Sequence, residues 1–508
     1  MPNNEFGDFQ TPPALARRVV DVLPRRGWTR VLEPTCGTGN FLGESARAFP
    51  DAQVIGIEVQ PAYAAQARAR MTGAEVITGN IFTMDLARDI SWKAEGPMLV
   101  VGNPPWVTNS WLGGMESGNL PERVNLKNLR GYDAMTGSSN FDIAEYIWLK
   151  LLAEFAQCRP TISLLCKTQV ARNVLEYCAQ FRLPVSSATL HMIDAKKWFN
   201  AAVDACLFTV EAGVGPAAYG CDVYDSLDAT RAARRFGVVG SRLVADTAAY
   251  ARTRGFEGTC QVEWRQGMKH DAAAVMELVR TGDGLVTRHG ERVDVEERYL
   301  YPLLKCTDIF RDRLSPAKCV VVPQKALHDD TAMLARLAPK LWAYLDAHGD
   351  VLDARKSSIY SGRPRFCVFG LGEYSFAPYK VAVSGLHKSA EFRLVAPADG
   401  RPVFLDDACY FLPFWDVCEA AVVAALLRSE PARDFFHALA FWDAKRPITK
   451  RLLQRIDLNA ILAHMGEPEI ARGAEFQLSR LGAGVSPEMV SHAVCALSDR
   501  WTGSAGLP

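Results

Sequence analysis

The chain has 508 residues, of which 49% are hydrophobic and 22% are charged. These fractions are typical of a globular protein and argue against a disordered or collagen-like chain. Lysine and arginine together number 57, aspartate and glutamate also number 57, and the formal net charge is zero. Because proteins that bind nucleic acids usually carry a basic excess, this balance at first argues against a DNA or RNA partner.

The cysteines and the apolar runs of the sequence indicate the cellular compartment in which the protein is expected. The thirteen cysteines are scattered, without CxxC pairs or a Cys/His ladder, so we expect reduced thiols, a cytoplasmic protein and no metal site. Met1–Pro13 lacks the apolar core of a secretory signal. The longest apolar run near the C-terminus, Ala420–Leu427, is far shorter than the ~20 residues of a membrane span, so no membrane association is expected.

From Arg30 to Val210, short apolar runs typical of buried strands alternate with stretches of helical periodicity. This alternation predicts an α/β fold with a doubly wound, Rossmann-like parallel sheet. The predicted strands are Arg30–Glu33, Gln53–Glu58, Glu75–Thr78, Met98–Val101 and Thr161–Leu165. The predicted helices are Ala14–Leu23, Phe41–Ala48, Pro61–Met71, Asp142–Gln157 and Gln169–Ala179.

The chain is predicted to divide into a first domain at 1–212, a linker at 213–250, a mixed α+β domain at 251–470 and a helical tail at 471–508. Gly213–Gly220 is typical of a linker, and the Gly-, Asn- and Ser-rich segment Thr108–Ser139 is typical of a functional loop. In the second domain the predicted strands are Cys319–Pro323, Arg365–Phe369, Lys380–Ser384 and Phe392–Val395, and the predicted helices are Phe414–Ser429 and Lys450–Ala463.

A glycine turn follows the first predicted strand, in the sequence Glu33-Pro34-Thr35-Cys36-Gly37-Thr38-Gly39. Glycines let the backbone adopt positive φ and approach a ligand closely. Glu58 ends the next strand about 20 residues on, where a carboxylate can accept hydrogen bonds from ribose hydroxyls. Asn80 and Ile81 follow the third strand and could meet the edge and face of an adenine. A dinucleotide and S-adenosylmethionine both remain open as ligands.

The segment Asn103-Pro104-Pro105-Trp106 follows the fourth predicted strand. The prolines fix φ and remove two backbone donors, so nearby carbonyls are available as acceptors. Asn103 Oδ1 and the Pro104 carbonyl could each accept an N–H of an exocyclic amine, while Trp106 stacks on a flipped base. This segment predicts methyl transfer to an amino nitrogen on a planar ring.

These motifs resemble the gamma-class (Taq-type) DNA adenine-N6 methyltransferases of type II restriction–modification systems. The order agrees: Phe9-Gln10-Thr11-Pro12-Pro13, the glycine turn, Glu58, Asn80-Ile81, the Asn-Pro-Pro-Trp segment and Asn140-Phe141-Asp142. Asn80 stands where the family usually carries Asp. The resemblance implies a class I methyltransferase domain at 1–212 that binds S-adenosylmethionine, and a target-recognition domain for duplex DNA.

The resemblance also assigns residues and partners. Phe199 is the candidate for a second aromatic against the target base. The cofactor contacts would be Phe9, Thr11, Glu33, Thr35, Cys36, Gly37, Gly39, Glu58, Asn80, Ile81 and Asn103. A monomer is expected. Any cognate restriction endonuclease is expected to be a separate protein, because the chain has no room for a nuclease domain.

Local basic clusters offset the neutral total charge. Arg355–Arg393 holds seven basic and two acidic residues, and Lys445–Arg451 and Gly267–Asp271 are further clusters. In a target-recognition domain such clusters are candidates for phosphate and base-edge contacts. The predicted DNA contacts are Lys269, Arg363, Arg365, Tyr379, Lys380, His387, Lys388, Arg446 and Lys450.

Two other functions remain as alternatives. NPP-aromatic loops also serve methyltransferases that act on RNA or on protein amide nitrogens. A non-catalytic DNA-binding subunit could keep the fold, although such subunits typically lose the glycine turn or the Asn-Pro-Pro segment. Both motifs are intact in this chain.

Overall fold

The computed structural model describes residues 10–71, 73–107, 142–213, 217–282 and 284–503. The chain divides into two compact units, residues 1–248 and 249–508. Three sequence predictions lie outside the described residues: Phe9 as a cofactor contact, the Thr108–Ser139 loop and the Asn140-Phe141 part of a motif. Within the described ranges, none of the helices combines the length and hydropathy needed to cross a membrane.

The first unit is built on one ten-stranded sheet. Its strands are β1 (Arg30–Glu33), β2 (Gln53–Glu58), β3 (Ala74–Thr78), β4 (Met98–Gly102), β5 (Thr161–Lys167), β6 (Val185–Ile193), β7 (Ala205–Ala212), β8 (Gly220–Tyr224), β9 (Arg234–Val239) and β10 (Arg242–Val244). Their order is β10-β9-β8-β6-β7-β5-β4-β1-β2-β3. The run β3-β2-β1-β4-β5 is parallel, and β7 is antiparallel to β5 and β6.

The order of this sheet determines where a ligand can bind. β1 pairs with β2 on one side and with β4 on the other, so the chain reverses its direction of winding between β1 and β4. In open α/β sheets, ligands bind beyond the carboxyl ends of the strands at such a switch point. The glycine turn follows β1 and the Asn-Pro-Pro segment follows β4, so both motifs lie at this edge.

The helices of the first unit follow the apolar periodicity of the sequence. They are α1 (Pro13–Val22), α2 (Asn40–Ala48), α3 (Pro61–Arg70), α4 (Leu86–Asp89), α5 (Ile143–Glu154), α6 (Thr168–Gln180) and α7 (Ala195–Phe199). In α1 the buried residues Leu15, Ala16, Val19 and Val20 form one stripe that joins the core. All five strands and five helices predicted for this region are present, with ends that differ by a few residues.

The predicted linker at 213–250 is wrong in part, because three strands within it, β8, β9 and β10, belong to the sheet. Residues of β8 alternate between buried and half-buried positions, and β8 pairs in parallel with β6 from Ala188↔Cys221 to His191↔Tyr224. β9 and β10 continue as an antiparallel pair. Sequence alone missed these strands because they are short and are separated by polar and glycine residues typical of a connector.

The second unit contains two sheets. Its strands are β11 (Arg265–Gln266), β12 (Glu277–Thr281), β13 (Gly284–Thr287), β14 (Arg292–Val293), β15 (Leu300–Leu304), β16 (Lys318–Val321), β17 (Tyr379–Ser384), β18 (Arg393–Val395), β19 (Phe404–Leu405) and β20 (Cys409–Phe414). One sheet has the order β14-β13-β12-β16-β15-β19 and the other β11-β20-β17-β18. Both sheets are mainly antiparallel; among the strands that the structure describes in this unit, only β15 and β19 pair in parallel.

Helices complete the second unit, and α8 (Thr247–Thr253) spans the boundary between the units. The others are α9 (Ala273–Met276), α10 (Cys306–Phe310), α11 (Leu334–Leu337), α12 (Pro339–Ala347), α13 (Gly349–Asp353), α14 (Val417–Arg428), α15 (Glu430–Leu439), α16 (Lys450–Leu453), α17 (Leu458–Met465), α18 (Glu467–Arg480) and α19 (Pro487–Gly503). The apolar helix α14 packs against α18 and α19. The mixed α+β architecture predicted for this region is therefore present.

Three details of the second-unit prediction are wrong. Arg365–Phe369 forms no strand, because Phe366 adopts a positive φ of 68° and only an isolated Lys269↔Phe369 bridge forms. The predicted helix Lys450–Ala463 is split into α16 and α17, since Asp457 caps a new helix by accepting from the Ala460 N–H. The helices predicted as a tail belong to the unit: Gly473 of α18 lies so close to Ala425 of α14 that an added Cβ would be 3.0 Å away.

Candidate active site

The glycine turn after β1 needs glycine at two positions. Gly37 and Gly39 have φ of 54° and 87°, a region that favours glycine over residues with a Cβ. A Cβ at Gly37 would lie 2.7 Å from Gln10 Oε1, and a Cβ at Gly39 would lie 3.2 Å from Ala67 Cβ. Close packing on both sides therefore adds to the conformational requirement.

The segment before α1 is fastened to this turn by two side chains. Gln10 Oε1 accepts hydrogen bonds from the Thr38 N–H at 3.2 Å and from Thr38 Oγ1 at 3.0 Å. Asn40 Nδ2, at the start of α2, donates to the Thr11 carbonyl at 2.8 Å. The buried Thr11 is thereby brought beside the glycine turn. Sequence reasoning missed Gln10, whose only signal is its place between Phe9 and Thr11.

Glu58, at the end of β2, is buried and held in one orientation by backbone donors. Its Oε2 accepts from the Gly37 N–H at 2.8 Å and its Oε1 accepts from the Gln60 N–H at 2.8 Å. A carboxylate has about four lone-pair sites, and these two bonds fix its plane. The structure thus connects the acidic residue of β2 directly to the glycine turn, two motifs that the sequence could relate only by spacing.

Glu33 and Cys36 form the floor of the same region. Glu33, at the end of β1, is 3% exposed, and burial raises the pKa of its carboxyl well above the usual range. Burial, with Glu33 and Glu58 nearby, also raises the pKa of the Cys36 thiol above its ordinary value. Cys36 is therefore an uncharged packing residue and not a nucleophile.

Asn80 and Ile81 form the wall beyond β3. Asn80 Oδ1 accepts from the Phe82 N–H at 3.0 Å, a local turn that short polar side chains often make. Ile81 is buried, and Phe82 packs edge-on against Tyr146 at a centroid distance of 5.5 Å. Both predicted residues line the cleft, and Phe82 adds an aromatic ring that the sequence analysis did not single out.

These residues line one cleft at the switch point of the sheet. Asn103, Pro104 and Pro105 line it together with Glu33 and Glu58, so the structure brings the end of β4 to the same cleft as the ends of β1 and β2. The lining also includes residues not predicted from sequence: Gln10, Asn40, Gln60, Tyr63, Phe82, Val107, Ile143 and Ile147.

Trp106 does not present a stacking face in this structure, in contrast to the prediction. The indole is 5% exposed, and its Nε1 donates to the Leu165 carbonyl of β5 at 3.3 Å. Phe199 packs edge-on against it, with centroids 5.0 Å apart and planes at 70°. The two predicted aromatics are brought together, but Trp106 belongs to the core of the first unit. Apolar ring area and one buried carbonyl acceptor account for this burial.

An ion pair beside the cleft is a further feature that the sequence did not reveal. Lys167 Nζ, at the end of β5, lies 2.6 Å from Asp142 Oδ2. Asp142 also caps α5 by accepting from the Ala144 N–H at 3.1 Å. Burial raises the pKa of Asp142 although Lys167 favours its charged form. The pair adjoins the cleft because the Ile143 N–H donates to the Val107 carbonyl at 2.9 Å.

The prediction that Lys380 of the second unit contacts DNA is wrong. Its side chain is 1% exposed, and Nζ donates to the Ala377 carbonyl at 2.7 Å. Nζ also lies 5.7 Å from the centroid of the Phe411 ring and 6.0 Å from that of Phe404. Burial lowers the pKa of Lys380 to about 7. The residue is buried because β17 is covered on both faces, by α10 and by α14.

The Arg355–Arg393 window contacts both of the other basic clusters: the Lys269 N–H donates to the Phe369 carbonyl at 2.9 Å, and Gly385 lies near the Lys445–Arg451 cluster. Gly385 lies against the Ile448 carbonyl, which an added Cβ would approach to 3.3 Å. The exposed Lys388 therefore lies in a loop adjacent to the Lys445–Arg451 cluster. His387 anchors this loop: its ring stacks on Phe310 with centroids 3.9 Å apart, and its Nδ1 lies 2.6 Å from Ser384 Oγ.

The other predicted DNA contacts differ in how far carboxylates neutralise them. Arg365 pairs with Asp346 at 2.6 Å and with Asp353 at 3.1 Å. Lys450 pairs with Glu263 at 2.8 Å and Lys269 with Asp271 at 3.3 Å. Arg446 is paired more loosely, at 3.8 Å from Asp407. Arg363 is exposed beside His328, and Tyr379 is half-buried at the start of β17.

The cleft has the groups that S-adenosylmethionine requires. Glu58 is an oriented carboxylate for hydroxyl donors, and the backbone at Gly37 is open to close approach. Ile81 and Phe82 supply an apolar wall, and Glu33 Oε2 is a buried oxygen without a hydrogen-bond partner among the described residues. In the part of the chain that the structure describes, no group of three His, Cys, Asp or Glu side chains is placed to hold a metal ion.

Comparison with known proteins finds relatives among the DNA methyltransferases. The family model for N-6 DNA methylases matches residues 2–170. Type II methyltransferase M.NspV of Nostoc sp. is 38% identical over 467 residues, covering 90% of this chain and 97% of that protein. Type II methyltransferase M.CvrRI of Paramecium bursaria Chlorella virus XZ-6E is 32% identical over 105 residues, 21% of this chain and 26% of that protein.

A solved structure extends the comparison to the fold of both units. The type IIL restriction-modification enzyme MmeI, in complex with DNA, matches with a TM-score of 0.52 and 12% identity, covering 98% of this chain and 73% of that chain. The predicted fold, a class I methyltransferase domain followed by a mixed α+β unit, is confirmed. Coverage of nearly the full length of M.NspV shows the family, so this chain belongs to the N-6 DNA methylases, as a type II DNA methyltransferase that uses S-adenosylmethionine.

Proposed function

We propose that this chain methylates adenine N6 within a short duplex DNA sequence, as a gamma-class modification enzyme of a restriction–modification or phage-defence system. One observation carries the proposal: Asn103-Pro104-Pro105 lines the same cleft as Glu58 and the glycine turn. A methyl-donor site and acceptors for an amino group are thereby joined in one cavity. The finer assignments are a monomer in the cytoplasm and a separate cognate endonuclease.

Asn103 is the proposed catalytic residue, together with the Pro104 carbonyl. Each accepts one N–H of the adenine amino group, which localises the nitrogen lone pair and directs it into the cleft. S-adenosylmethionine supplies the methyl group on an activated sulfonium. The side chains therefore orient the amine and need not supply a strong base, and Cys36 takes no nucleophilic part because its thiol is uncharged.

The target base is proposed to leave the helix and enter this cleft, as other enzymes that act on bases require. In the described state the buried indole of Trp106 offers it no open face. Stacking on Trp106 therefore requires the indole to give up its hydrogen bond to the Leu165 carbonyl and its edge contact with Phe199. We assign Phe199, which is half-buried, as the second aromatic at the base position.

The second unit is proposed to bind the DNA. Its candidate contacts are Lys388, in the loop anchored by His387, and Arg446 and Lys450, in the neighbouring cluster. Phosphate contacts of this kind fix the register of a protein on the duplex, and base-edge contacts then give specificity. Arg365 is left out of this surface because two carboxylates already match its charge.

Expression in a host that lacks adenine methylation tests the proposed reaction. Genomic DNA from that host is sequenced for N6-methyladenine, with a host that carries the empty vector as the control. The proposal expects modified adenine at one enriched short motif. Methylation of RNA or protein without modified DNA would contradict it, and so would modified adenine without any sequence preference.

A further inference from the structure

Glu33 is a buried carboxyl that the proposed reaction does not explain. It ends β1 and lines the cofactor cleft, and its Oε2 has no hydrogen-bond partner among the described residues. Its chain is closely packed, because a Cβ on Gly102 of the adjacent strand would lie 3.2 Å from Glu33 Cγ. The Glu33 side chain is therefore buried and packed against β4 at the cleft.

The surroundings of Glu33 disfavour its charged form. The groups facing it are the Leu42 N–H, which favours the carboxylate, and Glu58, whose like charge opposes it. Cys36 is uncharged, and the field of Arg68 reaches that thiol from α3. In the described part of the chain no lysine, arginine or histidine pairs with Glu33. A buried carboxyl with a like charge nearby and no counter-ion is held neutral.

We infer that Glu33 distinguishes the methyl donor from its demethylated product by giving up its proton when a cationic ligand occupies the cleft. The inference rests on the proposed function, in which the cleft binds S-adenosylmethionine. That ligand carries a positive sulfonium, whereas S-adenosylhomocysteine has a neutral sulfur in its place. The O–H bond of the Glu33 carboxyl breaks, the proton passes to the buffer, and the carboxylate that remains matches the added positive charge.

This discrimination follows from linkage between binding and ionisation. A positive ligand in a low-dielectric cleft lowers the pKa of a nearby carboxyl, so the ligand binds more tightly where the carboxyl is charged. Each pKa unit by which Glu33 differs between the two complexes corresponds to about a tenfold change in their affinity ratio. Product release after methyl transfer would be favoured for the same reason, because the neutral product leaves the carboxylate unmatched.

Isothermal titration calorimetry of the full chain tests the inference. S-adenosylmethionine and S-adenosylhomocysteine are each titrated at one pH in two buffers that differ in ionisation enthalpy, which gives the number of protons released. We expect more protons to be released by the methyl donor than by the product. In Glu33→Gln the difference disappears and the preference for the donor falls, by about tenfold for each pKa unit that was lost. Equal proton release by the two ligands, or a difference that survives Glu33→Gln, would overturn the inference.

Two controls separate this role from a structural one. Glu58→Gln should weaken both ligands alike, because the ribose is common to them, and should keep the difference in proton release at saturating ligand. The thermal unfolding midpoint of Glu33→Gln without ligand should equal or exceed that of the parent, since a neutral amide replaces a neutral carboxyl. Equal weakening of both ligands in Glu33→Gln would indicate packing alone and refute the inference. A parent chain that binds neither ligand would instead refute the proposed cofactor site.

Discussion

At the residue scale, the Asn103 side chain and the Glu58 carboxylate line one cleft, and we propose that they serve different partners. Asn103 follows β4 and would act on the amino group of the target, whereas Glu58, held by the Gly37 and Gln60 amides, would bind the cofactor. Substitutions at these two positions should therefore separate binding from chemistry.

Asn103→Ala should lower kcat for DNA methylation by at least about a hundredfold, in line with the loss of one well-placed polar group in an active site. The Kd for S-adenosylmethionine should stay within a fewfold of the parent, because most of the proposed donor contacts lie at or just after the ends of β1, β2 and β3. Single-turnover methylation and cofactor titration measure the two effects. Parallel loss of both quantities would contradict the assigned role of Asn103.

Lys380 gives a second residue-scale prediction, which concerns how the free energy of unfolding changes with pH. Its pKa is lowered to about 7 in the fold, so between pH 7 and its ordinary value of 10.5 the unfolded chain binds more protons than the folded chain. The free energy of unfolding then rises with pH in that window, by roughly 1.4 kcal/mol per pH unit from this group. Below pH 7 the buried ammonium is present in the fold and this stability is lost.

Lys380→Met keeps the apolar stem and removes the titrating group. Its stability gain over the parent should be largest near pH 7 and should shrink as the pH rises toward 10. Urea unfolding of both proteins across that range measures the difference, in which other titrating groups cancel. A constant difference at every pH would mean that Lys380 is not held neutral by burial.

At the element scale, the strands of the first unit were predictable and several side-chain environments were not. β1, β2 and β4 each contain a short apolar run, and β1 and β4 are followed by the glycine turn and the Asn-Pro-Pro segment, so local sequence sufficed to locate them. Lys380 was misjudged because alternation in Tyr379–Ser384 predicts one solvent face, whereas α10 and α14 cover both faces of β17. Burial of that kind depends on helices more than 30 residues away in sequence, beyond any local pattern.

The glycine turn gives an element-scale prediction. Gly37→Ala places a Cβ at a φ of 54° and 2.7 Å from Gln10 Oε1, so it should displace the Gln10 side chain from its hydrogen bonds with Thr38 and weaken S-adenosylmethionine binding more than tenfold. Gly27→Ala is the matched control, since Gly27 has a φ of 60° with open space around an added Cβ.

Both glycine variants should lose roughly 1 kcal/mol of stability from backbone strain. Only Gly37→Ala should lose cofactor affinity, because only its added methyl collides with a residue of the cleft. Chemical unfolding and cofactor titration of the two variants provide the comparison. Normal cofactor affinity in Gly37→Ala would mean that the Gln10 contact does not shape the site.

At the scale of the whole molecule, the zero net charge becomes informative once the basic residues are located. Many cations are matched by carboxylates, as Arg365 is by Asp346 and Asp353 and Lys340 is by Asp294. Lys388 is exposed on its anchored loop, and Arg446 is only loosely paired with Asp407. A neutral chain can therefore bind a charged duplex through a few local cations, which composition alone could not reveal because it averages over the surface.

The salt dependence of DNA affinity tests this view. Each phosphate contact contributes about 0.9 to the slope of log K against log salt, so Lys388→Ala with Arg446→Ala should reduce the slope by nearly two. The control variant, Lys340→Ala with Arg365→Ala, removes the same formal charge from sites already paired with carboxylates and should leave the slope unchanged. Binding is measured by fluorescence anisotropy on the methylated motif at several salt concentrations. Equal slope changes in the two double variants would show that affinity follows total charge, and would refute a local DNA-binding surface at Lys388 and Arg446.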